Sequence, residues 1–539
     1  MSNRNDKIVK GLLIFLMAGA ILYSAISIFE SKKINGSGEN EPNAANQNPV
    51  AIHYGVSAGN PHAVEVGMKI LDNGGNAVDA AIAVSYALGV VQPYGSGIGG
   101  EGGMLVFPAD GRDVVFYNYQ GTAPLDGSIP RGYVAIPGFV LAMEKANTDY
   151  STLPMNVLIE PSIQLAMKGF RIDSTLSKII SISKQKLSTN SKSVFYNNGA
   201  LPGAGITLKQ ADLAITLKAI QSEGAMVFYN GTIAKDIAKA VKGLKLSDLQ
   251  NYQVYEAKPI KAKYLNYEII SAPPPFGGVT LAQILMMSER LKINDFETSG
   301  SGIYEMAQII NAAYQDRSTN IGDPKFSNIN VEELTSQTYI EKLIANAASN
   351  MNFVSTDTED TTHFVVVDKD GMMVSCTNSL SSWFGSGILV DGFYLNNHLK
   401  NFSKDTNSIN KWEAGKEPRT FISPTIVTLD GKPILGIGTP GGNAIPTVLA
   451  EVLINILENN IDPQVAIDKP RFYVRGNTVF YEGDMDKKIA DELRKNGITV
   501  IKDPSSLDFG AVNCLYYDSK TSQLMGGADK RRGGTWSVK

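Results

Sequence analysis

Thr361-Thr362-His363-Phe364-Val365-Val366-Val367-Asp368-Lys369-Asp370-Gly371 is the stretch from which the fold can be read. β-Branched and aromatic residues run into Asp-Lys-Asp-Gly, the pattern of a strand that ends in a tight turn. A second apolar run, Met372 to Cys376, completes a hairpin. Strand periodicity puts Thr361, His363 and Val365 on one face and Thr362, Phe364 and Val366 on the other. The preceding segment, Ser349 to Asp360, is polar, built of small residues and without apolar period, so it reads as an exposed loop. A threonine on a core strand directly after a cuttable loop would become a new N-terminus once the loop is cut. Its hydroxyl would then be a nucleophile with its own α-amine as the base. That amine has an unperturbed pKa of about 7.7–8.0, close to working pH. On propensity alone, however, a Thr-Thr pair is an ordinary strand opening. The rest of the chain has to decide.

The composition removes several classes of function. A net charge of −4 and the lack of a long Lys/Arg run argue against a nucleic-acid partner. With 43% hydrophobic and 19% charged residues the chain is globular, and its 51 glycines come in clusters that suggest backbone-lined loops. Cys376 and Cys514 are too few and too far apart for a metal cage or a disulfide framework. Cys376 lies in a strand pattern and reads as a small buried residue. His53, His62, His363 and His398 have no metal-ligand spacing. Neither a metal nor another cofactor is expected.

The first 29 residues stand apart. Gly11 to Phe29 is uncharged and apolar, near the ~20 residues that span a bilayer as a helix. Arg4, Lys7 and Lys10 precede it, the flank expected on the cytoplasmic side. A cleaved signal has a shorter apolar core of about 7–15 residues, which favours an uncleaved single-pass anchor over residues 1–29. Cleavage after Ala20 or Ala25 is the alternative. Residues 30–49, rich in Asn, Gly, Ser and Glu, read as a flexible linker. The body therefore starts near Val50 and is expected outside the membrane, at the cell surface.

Along the body, Tyr54 to Ala58 reads as a short strand and Pro61 opens a helix that Gly74-Gly75 stops. Asn76 caps a second helix, Ala77 to about Val91. Gly95-Ser96-Gly97-Ile98-Gly99-Gly100 matches the dinucleotide pattern by letters, but a helix precedes it and the strand Met104 to Phe107 follows. That order is the reverse of a nucleotide site, so the segment reads as a tightly packed loop. Helical patterns follow at Met143–Asn147 and Leu158–Met167, and another starts at about Thr280.

These blocks occur in the order of a known family. Thr361-Thr362-His363-Phe364 with Asp368-Lys369-Asp370-Gly371 resembles the small-subunit start of the γ-glutamyltransferases, which belong to the N-terminal-nucleophile hydrolases. Asp72–Ala81, Arg131–Gly138, Ala272–Thr280, Tyr314–Arg317 and Gly322–Pro324 match the large-subunit landmarks. Phe384–Gly387, Leu395–Asn397, Arg419–Thr425, Gly438–Asn443 and Gly527–Gly534 match the small-subunit ones, so the resemblance covers about residues 53–536. It implies an α+β fold, a four-layer αββα sandwich, cut between Asp360 and Thr361 into a large subunit (50–360) and a small catalytic subunit (361–539). It places the nucleophile at Thr361, an assisting hydroxyl at Ser379, and oxyanion donors at Gly441 and Gly442, where consecutive glycine N–H groups carry no steric cover. It places substrate contacts at Gln120, Ser381, Asn401, Arg419, Thr420 and Arg531, although Arg531 would meet either a carboxylate or solvent.

Three departures bear on substrate. Glutathione-cleaving members hold the glutamate α-carboxylate with the arginine of an Arg-Glu-x-x-Pro segment, where this chain has Gln120-Gly121-Thr122-Ala123-Pro124. They hold the α-amine with an aspartate a few residues after the Asn-Asn pair, where Asn401 stands here, and their tandem serines correspond to Thr420 and Phe421. A neutral Asn401 suits an amide nitrogen, as found inside a γ-linked glutamate chain, because no desolvated charge is left unpaired. The Thr-Phe pair and Asn401 resemble the capsule depolymerase branch, whose members cleave poly-γ-glutamate and transfer it to acceptors at the cell wall. Gln120 departs from that branch too and leaves the reading of the substrate carboxylate open. The expected function is γ-glutamyl transfer to an acceptor amine or water through a Thr361 ester. A glutathione or γ-glutamyl peptide hydrolase is one alternative, and a non-catalytic surface-binding protein with the same fold is another.

Overall fold

Two antiparallel sheets stacked face to face form the centre of this computed structural model, which describes residues 53–187, 194–195, 202–347, 360–518 and 520–539. The apolar run at 11–29, the linker at 30–49 and the loop before Asp360 lie outside the described residues. Among the described residues no helix is long and apolar enough to cross a membrane.

In chain order the strands that matter are β1 (Gly55–Ala58), β2 (Glu101–Phe107), β3 (Val115–Asn118), β4 (Tyr255–Ala257), β5 (Ile260–Tyr264) and β6 (Tyr267–Ser271). They continue with β7 (Asp360–Val367), β8 (Met373–Ser381), β9 (Thr425–Leu429), β10 (Lys432–Gly438), β11 (Asn513–Asp518), β12 (Gln523–Ala528) and β13 (Thr535–Val538). The first sheet has the order β13-β1-β7-β8-β2-β3-β4, the second β12-β11-β10-β9-β6-β5. The expected hairpin is β7–β8, in the middle of the first sheet.

Its two faces feed two cores, as the period-two reading requires. Val365 and Val367 pack with Leu105 and Phe116 against Ile270, Ile426 and Leu515 of the second sheet. Phe364 and Val366 face the other way, into a core shared with the helices Pro61–Asp72, Ala77–Val91, Phe139–Tyr150 and Met155–Lys168. The outer face of the second sheet, with Val427, Leu435 and Ile437, is covered by the helices Gly278–Leu291, Gly300–Asn320 and Ile445–Leu457. The result is the αββα sandwich. Each such Val or Phe contributes roughly 1.5–3 kcal/mol by leaving water.

Two devices lock the hairpin to the helical layer. Asp368, in the turn after β7, accepts N–H bonds from Asp370 and Met372 at 3.0 Å and closes the turn. Its other oxygen accepts the Ala77 N–H at 2.9 Å, which puts a carboxylate at the N-terminus of the helix Ala77–Val91. Asn76 and Asp79 complete that terminus with a capping box.

β1 pairs with β7 only from Phe364 to Val367. Thr361, Thr362 and His363 therefore extend beyond the β1 partner and pair with β8 alone. One flank of this strand end is thus left to loops. That is where the candidate site is built.

Candidate active site

Thr361 lies opposite Ser379 across the β7–β8 ladder, and Thr362 lies opposite Asn378. The ladder slips between Ser379 and Ser381, so that Ser381 opposes Asp360. At this bulge Ser381 takes a φ of 76°, rare for a residue with a side chain, and its N–H bonds Ser379 Oγ at 2.8 Å. The Thr361 hydroxyl is buried and has no hydrogen-bond partner among the described residues. Thr362 is held by the glycine loop, for a Cβ on Gly95 would lie 3.0 Å from its methyl group. The loop thus needs its glycines for close approach to the hairpin, as its packed-loop reading requires.

His363 is not available as a base. Nδ1 lies 2.9 Å from Thr377 Oγ1, and burial pushes its pKa down to about 3, so the ring is neutral at working pH. It packs on the second sheet, where a Cβ on Gly438 would lie 2.3 Å from the ring. Two residues along, a Cβ on Gly436 would lie 2.6 Å from Val365. β10 thus runs over β7 in the opposite sense, 436 on 365 and 438 on 363. Continued by one step, that series carries the Thr439–Gly442 turn toward the level of Thr361. There Gly441 and Gly442 have φ values of 141° and 58°, a backbone that favours glycine. Thr439 braces the turn, its hydroxyl donating to the Pro440 carbonyl at 2.7 Å and accepting the Ala511 N–H at 2.8 Å.

Beside the strand end the residues expected to contact substrate are joined with their neighbours into one connected wall. Ser381 Oγ lies 3.5 Å and Asn401 Nδ2 3.4 Å from His398 Nδ1. Glu101, at the start of β2, brings Oε1 to 2.6 Å from the same nitrogen, and both side chains are 1% exposed. The contact is close but off the line of a hydrogen bond. Glu101 Oε2 accepts the Gly121 N–H at 2.9 Å. Gln120 donates from Nε2 to the Pro418 carbonyl, while its backbone carbonyl accepts from the Tyr252 hydroxyl at 2.9 Å. Asn410 closes the circuit: it donates to the Asn401 carbonyl at 2.7 Å and accepts the Arg419 N–H at 2.9 Å. Thr420 is buried, with its N–H on the Pro275 carbonyl at 3.0 Å.

Behind Gln120 lies a second buried carboxyl, Glu417. It accepts from Asn118 Nδ2 at 2.9 Å and from the Tyr255 hydroxyl. Burial and the neighbouring Asp323 push its pKa up to about 7.

The structure therefore gathers Gln120, Ser381, Asn401, Arg419 and Thr420 around the strand end that carries Thr361 and Ser379. It does not free Arg419 fully, since Nη1 donates to the Ser318 carbonyl at 2.9 Å. Arg531 departs from expectation. Its guanidinium is spent on Glu482 through Nε at 2.8 Å and Nη2 at 2.6 Å, on Asp529 at 3.2 Å, and on the carbonyls of Ile467 and Lys469. All its donors are used within the fold, so it clamps the segment after β12. Glu101, His398 and Asn410 are the members that the sequence reading missed. Glu101 was hidden in a glycine-rich loop, and His398 stood out only as a histidine without metal spacing.

Two stacked sheets between helical layers, with a threonine opening a central strand, define the class of N-terminal-nucleophile hydrolases. Within that class the sequence model of the Gamma-glutamyltranspeptidase family matches residues 63–538, and the chain belongs to that family. It is 42% identical over 484 residues to the capsule biosynthesis protein CapD proenzyme of Bacillus anthracis, covering 90% of each chain. It is 33% identical to the glutathione hydrolase proenzyme of Bacillus subtilis, over 89% of this chain and 90% of that one. Among solved structures, the cephalosporin acylase of Bacillus halodurans superposes with a TM-score of 0.81 at 26% identity, covering 94% of this chain and 99% of that one.

Proposed function

We propose that the protein is a self-processing γ-glutamyltransferase that cleaves γ-glutamyl amide bonds within poly-γ-glutamate and passes the acyl group to an acceptor amine or to water. The observation that carries this is the wall beside Thr361. It presents Asn401, a neutral amide, where a free ammonium would need a carboxylate. The greater similarity to a capsule biosynthesis proenzyme than to a glutathione hydrolase supports the same choice.

In the first step Thr361 Oγ attacks the carbonyl carbon of Asp360, the peptide C–N bond breaks, and the Thr361 nitrogen takes the proton. Water then hydrolyses the ester and leaves two chains, 53–360 with whatever precedes it and 361–539. In catalysis the freed amine accepts the proton of Thr361 Oγ as the oxygen attacks the γ-carbonyl of the donor. The negative oxygen is stabilised by the Gly441 and Gly442 N–H groups; one such donor contributes roughly 10²–10³ in rate. The leaving amine departs with the proton, and an acceptor amine or water attacks the ester. Ser379 orients the nucleophile from across the ladder.

A glutathione hydrolase is the second reading, favoured by the 33% relative. Incubation of the purified protein with poly-γ-glutamate and, separately, with glutathione separates the two. Shortened or acceptor-capped polymer supports the first reading, and glutamate release from glutathione alone supports the second. We propose further that the apolar run at 11–29 anchors the enzyme with its body at the cell surface. Partition of the native protein with membranes, and solubility of a chain begun near Val50, are the expected results. A wholly soluble native protein beginning beyond Ala25 would mean a cleaved signal instead.

A further inference from the structure

Next to the donor pocket, the segment that leaves β8 is ringed by cations. Ser382 follows Ser381 directly, and its hydroxyl accepts from the Lys400 ammonium and, at 3.2 Å, from Asn397 Nδ2. One residue on, the Trp383 carbonyl accepts Lys186 Nζ at 2.9 Å. The same lysine reaches the next turn, since a Cβ on Gly387 would meet Lys186 Cγ at 3.2 Å. From another side comes the turn Arg131–Tyr133. It packs against residues 398–401, and a Cβ on Gly132 would lie 3.0 Å from Ser386 Cβ. The Arg131 N–H bonds the Lys242 carbonyl at 2.8 Å, which sets a fourth cationic residue beside it.

Arg131, Lys186 and Lys242 are exposed, and Lys400 is half-buried. Residues 127–134, 183–187, 239–245, 382–388 and 397–404 contain no Asp or Glu. The acids that flank them are engaged elsewhere. Asp126 pairs with Lys245 at 2.6 Å, and Asp248 accepts the N–H groups of Leu125 and Lys245. Asp405 holds the Asn407 N–H at 2.9 Å, and Asp391 lines a different pocket with Asp212 and Asp236. On a chain of net charge −4 this face reverses the overall sign, and it borders the site.

Two aromatic side chains share the face. Tyr133 is 49% exposed, and its φ of 57° is costly for a bulky residue. The fold thus holds a ring in water where neither burial nor backbone preference would put it. Trp383, between Ser382 and the Gly387 turn, is half-buried. Such rings cover methylene groups while their polar tips stay wet. A γ-linked glutamate chain has the matching character, with methylenes and an amide along its backbone and a carboxylate on every α-carbon.

We infer that Arg131, Tyr133, Lys186, Lys242, Trp383 and Lys400 form a docking surface for an extended poly-γ-glutamate chain, next to the donor pocket and separate from it. The inference rests on the γ-glutamyl reading above and adds the place where polymer beyond the cleaved bond is held. Successive carboxylates meet the cations, and the surface raises the local concentration of polymer without touching the reacting atoms.

Long poly-γ-glutamate and a short γ-glutamyl anilide tell this surface from the pocket. In the self-cleaved native enzyme, KM for the polymer should rise about 10-fold between about 50 and 500 mM salt, while that for the anilide changes less than about twofold. The double variant Arg131→Glu, Lys186→Glu should raise the polymer KM by about the same factor and weaken its salt dependence, with kcat and the anilide kinetics unchanged. If that variant does not self-cleave, the salt dependence of the native enzyme decides. Equal losses on both substrates, or a polymer KM indifferent to salt or to the substitutions, overturn the inference while leaving γ-glutamyl chemistry intact. Polyphosphate of matched charge binding this face where poly-γ-glutamate does not overturns it as well. Cleavage of neither compound overturns the γ-glutamyl reading itself. Fluorescence anisotropy of labelled poly-γ-glutamate then still decides the surface: binding weakened in the double variant supports it, and binding equal to that of the native protein sinks it.

Discussion

The end of β7 and the wall beside it follow opposite electrostatic plans. Around Thr361 the groups are neutral: Ser379, Thr377, Asn378 and a histidine whose pKa burial has pushed down to about 3. In direct contact with it through Ser381, the wall sets a carboxylate 2.6 Å from an imidazole nitrogen, between two side chains that are each 1% exposed. The difference separates two jobs. A nucleophile activated by its own amine gains nothing from a fixed neighbouring charge, which would shift that amine away from working pH. Recognition of a charged substituent does need one, and a buried charge is tolerated only with a partner. Chemistry and specificity should therefore respond to different substitutions.

The largest effect is expected where the neutral region is broken at its centre. Thr361→Ala should remain a single chain and lose at least about 10³-fold in turnover, since removal of a nucleophile leaves only binding and oxyanion stabilisation. A denaturing gel checks the first half; N-terminal sequencing of the native small fragment should read Thr-Thr-His-Phe. Splitting of the alanine variant at the same bond would sink the assignment. Next in size, Gly441→Ala should lower kcat by about 10²-fold with a smaller change in KM, the mark of a lost transition-state donor. At φ 141° an alanine is strained, and its methyl would lie 3.2 Å from Gly510 Cα. A variant that changed KM alone would show that this turn does not face the developing oxyanion.

The neutral region was the legible one. β-Branched residues before Asp-Lys-Asp-Gly specify a hairpin locally, Asn76 announces its helix by a cap, and period two assigns the faces of β7. Those signals act over a few residues, so the sequence carries them in full view. The wall was legible only where family landmarks fell on it. Glu101 ends a glycine loop and His398 follows an Asn-Asn pair, and nothing local says that they meet. Their pairing depends on β2 lying beside β8 and on Asn396 bonding the Gly99 carbonyl, both products of tertiary packing. The internal partners of Arg531 were hidden for the same reason. An arginine in a family-landmark block reads as a substrate contact, while the carboxylate it pairs with in the fold, Glu482, lies in another segment.

The charged wall can be rewritten by one atom group. Asn401→Asp would set a second carboxylate near His398, whose Nδ1 is 3.4 Å from the present amide nitrogen. A free-amine donor such as glutathione should then gain about 10-fold or more in kcat/KM, because a charge-assisted bond contributes roughly 1.5–3 kcal/mol. A chain-internal donor should lose, since a carboxylate cannot donate to its amide carbonyl and is harder to desolvate. Kinetics of both enzymes on both substrates give the answer. An unaltered preference would place the α-nitrogen away from Asn401 and remove the main residue-level support for a polymer substrate.

The smallest effect concerns stability, and it contrasts the wall's two buried carboxyls. Glu101 has His398 and the Gly121 N–H beside it, whereas Glu417 has Asn118, Tyr255 and, nearby, another acid, Asp323. Burial is the main cause that lifts Glu417 from 4.5 to about 7. As pH rises, the unfolded chain therefore releases this proton before the folded one does. The stabilisation is present in full below about pH 4.5 and is lost by about pH 7, a difference of roughly 3 kcal/mol at most. Glu417→Gln cannot ionise and should not lose it. Its denaturation midpoint should lie close to that of the native protein near pH 5 and above it at pH 8. In a chain of this length the gap amounts to a few degrees, and larger domains shift less per kcal/mol. Parallel pH curves for the two proteins would mean that Glu417 stays ionised in the fold. Lys325, 3.8 Å from its Oε1, would then be a stronger partner than its exposed position suggests.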